Sequence, residues 1–284
     1  MRALGLRFVK KTVNFDSPDA YHLYYADEQG RPGTVLTFFE FPGAAGGRAG
    51  NGMVHSLSWR VGDDDALGFW AARLADEGVA AQRDERSLRF ADPEGLALEL
   101  VVDGGEEPLT ADADDIPAEH RLAGFAGVRA YAAEPERSVG LLADTLGFER
   151  AGDGEWRLAG DERSAGYAYD APPPERGLQG AGTVHHVAWA SPDEDHEEWR
   201  LRAARVGARV TPVIDRDYFR SIYFREPSGV LFEIATLGPG FNVDEPAGEL
   251  GESLRLPAQH EHLRERLDTV LTPLTNPRPR KAAR

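Results

Sequence analysis

The chain has 284 residues, 41% of them hydrophobic, enough to bury one large core or two domains of about 100–150 residues each. Its 48 acidic and 32 basic residues give a formal charge of −16, spread along the chain, which excludes nucleic acid and anionic membrane surfaces as partners. The absence of cysteine excludes disulfides, thiolate metal sites and cysteine nucleophiles, and no apolar run approaches the roughly 20 residues that span a bilayer, so a cytoplasmic protein is expected with His, Asp and Glu as its only metal ligands.

In chain order, Leu4-Gly5-Leu6 leads to an aromatic strand around Tyr21-His22-Leu23-Tyr24-Tyr25. Val54 to Trp59 has the alternation of a half-buried strand. A helix over Asp65 to Glu77 follows, with Leu67, Trp70 and Leu74 on one stripe and Gly78 at its end. Asp92-Pro93-Glu94-Gly95 makes a tight turn into a strand that carries Glu99 among apolar residues. Gly104 to Arg121, rich in Asp, Glu and Pro, reads as a linker.

Beyond it, a strand over Gly127 to Ala132 and a helix over Glu136 to Thr145 lead to Leu146-Gly147-Phe148, an echo of the start. Val184-His185-His186-Val187-Ala188-Trp189 repeats the Val54 segment, and a helix from about Asp195 to Val206 ends at Gly207. Glu226-Pro227-Ser228-Gly229 and the strand Val230 to Ile234 repeat the turn and its carboxylate, here Glu233. An amphipathic helix over Leu256 to Leu271 and a frayed Pro- and Arg-rich end, Thr275 to Arg284, close the chain.

The repeating unit is strand, helix and three strands, four of them in two pairs. The expected class is α+β, with an N-terminal domain over 1–104, a linker over 105–121, a C-terminal metal-binding domain over 122–245, and a helix and tail over 246–284. The strand and helix that precede Leu146 have no counterpart before Leu4. The first module is therefore read as truncated, with a start codon placed too far downstream as the preferred cause. Such a chain should have an unpaired sheet edge, weak metal binding and a tendency to aggregate.

Glu233 lies at the centre of an apolar strand, where a carboxylate is costly unless paired or bound to a cation. His186, from the first strand of the same module, is its expected partner. Imidazole plus carboxylate is two-thirds of the facial triad that holds Fe(II), although a lone buried His–Glu hydrogen bond explains the pair as well.

The segments Gly5 to Asn14, Tyr21 to Asp27 and Gly33 to Phe39, with His185-His186, Arg216 and Glu233, resemble hydroquinone-type ring-cleaving dioxygenases of the vicinal-oxygen-chelate superfamily over nearly the whole chain. The resemblance implies two vicinal-oxygen-chelate domains built from four βαβββ modules. It implies non-haem Fe(II), with Mn(II) as the alternative, bound by two His and one Glu. By motif match, His186 and Glu233 are metal ligands, and the remaining ligand belongs to the absent first strand. Arg216 and Tyr223 match residues that line the substrate side, where they would stabilise a phenolate; a surface ion pair is the other reading of Arg216. His185 matches a histidine beside the ligands. Strand alternation should point it away from the face of His186, and packing and acid–base roles stand equal.

The implied reaction opens a small hydroquinone- or catechol-like aromatic with dioxygen, in a protein free to form a homo-oligomer. A glyoxalase-type lyase or isomerase and a binding protein of the same fold are the alternatives. Ser56 occupies the position of His186 in the second module, so no metal is expected there although Glu99 matches Glu233. His55 is expected to be structural and His22 a satisfied core or cleft residue. His196, His260 and His262 lie among charges and are expected to be exposed.

Overall fold

A computed structural model of the chain describes residues 3–276. The expected end from Thr275 to Arg284 lies, beyond Asn276, outside the described residues. Three complete modules are present. The second comprises β4 (Met53–Val61), α1 (Asp64–Asp76), β5 (Ala81–Arg83), β6 (Ser87–Ala91) and β7 (Ala97–Val102). The third comprises β8 (Phe125–Tyr131), a short irregular helix, β9 (Glu149–Gly152), β10 (Glu155–Ala159) and β11 (Ser164–Asp170). The fourth comprises β12 (Val187–Ser191), α2 (His196–Arg205), β13 (Ile214–Asp215), β14 (Arg220–Arg225) and β15 (Leu231–Thr236). Before them stand only β1 (Arg7–Val13), β2 (Tyr21–Ala26) and β3 (Leu36–Glu40).

In each complete module the first strand pairs in parallel with the last: β4 with β7, β8 with β11, and β12 with β15. Strands β4 and β8 also pair with each other, antiparallel, and merge the second and third modules into one eight-stranded sheet, β5-β6-β7-β4-β8-β11-β10-β9. The first and fourth modules remain separate sheets, β1-β2-β3 and β12-β15-β14-β13. Among the described residues, β3 and β12 are each the edge strand of their sheet.

Local sequence explains the best-formed helix. The Asp63 side chain caps α1 by accepting from the Ala66 amide at 2.9 Å, and Asp64 and Asp65 favour its N-terminal dipole. Ala66, Leu67, Trp70 and Leu74 then recur on one buried face. They pack with Trp59, Leu100 and Leu142 in a main core that continues to Ile222 and Phe232 of the four-stranded sheet. A smaller cluster of Tyr24, Tyr218, Phe241 and Leu250 fastens β2 to the fourth module.

Three elements differ from expectation. The helix expected over Glu136 to Thr145 is a 3₁₀ turn, Pro135–Ser138, followed by a π-turn, Gly140–Thr145, in which Leu146 N–H donates to Leu141 C=O at 3.0 Å. Its Val139, Gly140 and Thr145 are poor α-helix formers. The C-terminal helix is shorter than Leu256 to Leu271. After Pro257 come two tight 3₁₀ turns, Ala258–Leu263, with His260 Nε2 2.8 Å from the Phe15 carbonyl, and then α3 (Arg264–Val270). His185 and His186 precede β12 instead of lying in it, because pairing with β15 starts only at Val187.

Candidate active site

Glu233 is 3% exposed in the middle of β15. A bare carboxylate there would be expensive, and three side chains remove the cost. Tyr223, opposite it on β14, donates from its hydroxyl to Oε1 at 2.9 Å, and Ser221 on the same face also donates to Oε1. His186 Nε2 lies 2.8 Å from Oε2. Burial pushes the Glu233 carboxyl up, but the His186 contact and the two hydroxyl donors outweigh it and hold it below the usual range.

His186 Nδ1 is 2.9 Å from His185 Nδ1, so only one of these nitrogens carries the shared proton. Burial first and the His186 charge second push His185 down, which favours its neutral form. The expectation that His185 points away from His186 fails, since alternation holds only inside a paired strand. Arg216 is brought in by the turn Asp215-Arg216-Asp217. Asp217 there has φ +64, a left-handed conformation that Asp tolerates, and its amide donates to Asp215 Oδ1 at 2.8 Å. The Arg216 guanidinium lies 5.5 Å from the Tyr223 ring centre and 5.2 Å from that of Phe15, while its ionic contact with exposed Asp16 is a loose 3.9 Å. Burial alone would lower its pKa, but Tyr223, Asp16 and Glu233 overcome this and keep it charged. Burial is also the main cause that raises Tyr223, which stays a protonated donor.

These residues line a cleft of about 2710 Å³ that runs along both β3 and β12. Small-molecule pockets typically measure about 300–1,000 Å³, and this cleft is larger because its lining comes from both ends of the chain as well as from the site. Ligand atoms about 2.1 Å from one ion at right angles sit about 3 Å from each other. The 2.8 Å between His186 Nε2 and Glu233 Oε2 suits two such neighbouring positions. Among the described residues, no group of three or more His, Asp or Glu converges to hold an ion.

The second module puts a different set in the same frame. Register pairs Ser58 with Glu99 and Ala188 with Glu233, so Ser56 and His186 are equivalent positions. Glu99 is occupied by Arg89 at 3.0 Å and by the Ser58 hydroxyl at 3.3 Å. His55 Nε2 is held by Asp170 at 2.8 Å. His196, expected to be exposed, is 2% exposed at the start of α2, a helix that packs against β15 of the four-stranded sheet.

One residue near the site, His22, was expected from the sequence to be a satisfied core or cleft residue. It is not fully satisfied: Nδ1 lies 3.0 Å from the Tyr24 hydroxyl, but Nε2 is buried with no partner among the described residues. The alternation Tyr21-His22-Leu23-Tyr24, which sets His22 and Tyr24 on one face, is the signal that could have marked it.

A family model described as Glyoxalase/Bleomycin resistance protein/Dioxygenase superfamily matches residues 124–234, a span that includes His185, His186, Arg216, Tyr223 and Glu233. MhqO of Bacillus subtilis (strain 168), a candidate ring-cleaving dioxygenase, is 43% identical over 281 residues, which are 95% of this chain and 89% of the relative. This chain belongs to the glyoxalase/bleomycin resistance protein/dioxygenase superfamily. Within that superfamily, the chlorohydroquinone/hydroquinone 1,2-dioxygenase of Sphingobium indicum is 31% identical over 288 residues, 94% of this chain and 88% of the relative. The crystal structure of a candidate dioxygenase from Bacillus subtilis superposes with a TM-score of 0.88 at 41% identity, over 95% of this chain and 90% of that one. The paired-module α+β architecture is therefore the superfamily fold. Among the described residues, no helix is long and apolar enough to cross a membrane.

Proposed function

We propose that this superfamily member is an Fe(II)-dependent ring-cleaving dioxygenase that acts with dioxygen on hydroquinone- or catechol-like aromatics in the cytoplasm. The observation that carries the reading is the buried Glu233 carboxylate, 2.8 Å from His186 Nε2 and aimed by Tyr223 and Ser221. His186 and Glu233 would hold the ion, Fe(II) or Mn(II), as two of the three protein ligands that the family resemblance implies. The bound metal would supply the redox chemistry that lets dioxygen react with an aromatic ring.

The protein's own groups do the rest. When Nε2 of His186 serves a metal, its Nδ1–H donates to His185 Nδ1, so His185 orients the ligand ring from behind. Arg216 meets the negative charge of a bound phenolate, while Tyr223 gives its single O–H to Glu233 and sets its ring beside the guanidinium. These groups, and the relative named for hydroquinone, support the proposed substrate class.

Oxygen uptake is the test, with a panel of hydroquinones and catechols and protein reconstituted with Fe(II) under anaerobic conditions. It should be run on the 284-residue chain. Uptake with the hydroquinones or catechols is expected. Turnover of a non-aromatic substrate without dioxygen, or no uptake despite bound metal, would replace this reading with a lyase or a binding protein.

A further inference from the structure

The two faces of β2 have different neighbours. Tyr21 and Leu23 pack with Leu267 and Leu271 of the C-terminal segment, whereas Tyr24 packs with Tyr218 and Phe241 of the fourth module. His22 shares the face of Tyr24 and lines the cleft of His186, Glu233 and Arg216, close enough that their charges act on it. Its ring is fixed between Tyr24 and Phe39, with centroids at 4.1 and 4.4 Å. The Tyr24 hydroxyl occupies Nδ1 at 3.0 Å, and Nε2 is buried without a partner among the described residues. A buried polar atom that has given up water needs a replacement partner.

The chemistry of that partner follows from the tautomer. A phenol is the better donor of the two groups, so Tyr24 O–H donates to Nδ1 and the ring proton resides on Nε2. An N–H, not a lone pair, then stands at Nε2 of a residue that lines the cleft. His22 accordingly does not join His186 and Glu233 in a set that could hold an ion. We propose that His22 is a substrate-recognition residue: its Nε2–H donates to an oxygen substituent of the aromatic ring, at a ring position away from the oxygen held at His186 and Glu233. The assignment rests on the ring-cleavage reading above. Burial, reinforced by the His186 charge, pushes His22 down to about 3, so the imidazole remains a neutral donor throughout the assay range. A site built this way favours a dihydroxy ring over a monohydroxy one, because only the former satisfies the orphaned donor.

The test is calorimetric titration, without dioxygen, of hydroquinone and of phenol into Fe(II)-treated wild-type, His22→Phe and His22→Gln protein, with metal content and melting temperature measured on the same samples. His22→Phe should weaken hydroquinone binding about tenfold and phenol binding less than about twofold. His22→Gln, whose amide can donate at similar reach, should recover most of the loss. Metal content should not change. Equal weakening of both ligands would show a packing role and overturn the proposal, and so would a loss of metal in the variants, which would make His22 a ligand. Wild-type protein that binds neither aromatic would bring down the ring-cleavage reading itself, and this assignment with it.

Discussion

The second and fourth modules place a glutamate at the same register position and treat it in opposite ways. Glu99 faces Arg89 across the β6–β7 pair, while Glu233 faces Tyr223 across the β14–β15 pair. The residue two before the parallel partner of each glutamate is Ser56 in one module and His186 in the other. A guanidinium neutralises its carboxylate permanently and leaves nothing for a cation to add. A tyrosine and a histidine leave the carboxylate oriented, and the proton between His186 Nε2 and Glu233 Oε2 can give way to a metal. The difference between an inert strand and a candidate site therefore lies in two side chains on a common backbone.

The most damaging way to break that contrast is to remove the carboxylates in turn. Glu233→Gln should cut metal retention and oxygen uptake by at least about 100-fold, as expected for a ligand. Glu99→Gln should leave both within about twofold. Metal analysis and oxygen-electrode rates on the two variants decide it, and equal losses would sink the comparison. Next in size, Tyr223→Arg gives the fourth module the cross-strand partner of the second. The new cation should lower metal retention about 10–100-fold by occupying Glu233. Arg216→Gln should leave metal content unchanged and lower kcat/KM about tenfold, roughly 1.4 kcal/mol of lost charge stabilisation, with the loss largest for substrates bound as phenolates.

Much of this was legible in the sequence because the repeat prints its signature twice. The Pro-x-Gly turn, the strand carboxylate and the Ser56/His186 exchange can be read without coordinates, and so can the βαβββ order. What escaped depended on contacts far along the chain. His185 and His186 leave the strand because β15 begins to pair only at Val187. Whether His22 faces solvent, core or cleft is decided by Leu267 and Leu271, which cover the opposite face of β2 from the far end of the chain. His196 looks exposed amid its charged neighbours because burial of one helix end is a property of packing, not of composition.

The smallest expected effect concerns the position equivalent to His185. His55 is locked there, stacked 3.9 Å over Tyr131 and bonded to Asp170, whose two oxygens also accept from Arg129 at 2.8 and 2.7 Å. The Arg129 contact, opposed by burial and aided by His55, holds the Asp170 carboxyl below its usual range. A carboxyl depressed in the folded state stabilises the fold above its unfolded pKa of about 4, and that contribution disappears as pH falls through the folded value. His55 behaves differently: burial lowers it, and Asp170 only partly restores it. Asp170→Asn should thus lower Tm by about 2–3 °C at pH 7, given that the site is partly exposed. The gap from wild type should widen as pH falls through the lowered folded value of wild-type His55, where His55 without its carboxylate resists protonation even more, and should narrow below about pH 4 as wild-type Asp170 itself becomes protonated. Melting curves across this range test it, with oxygen uptake unaffected. Parallel curves would mean that Asp170 only packs, and that the second module's histidine is held by burial alone.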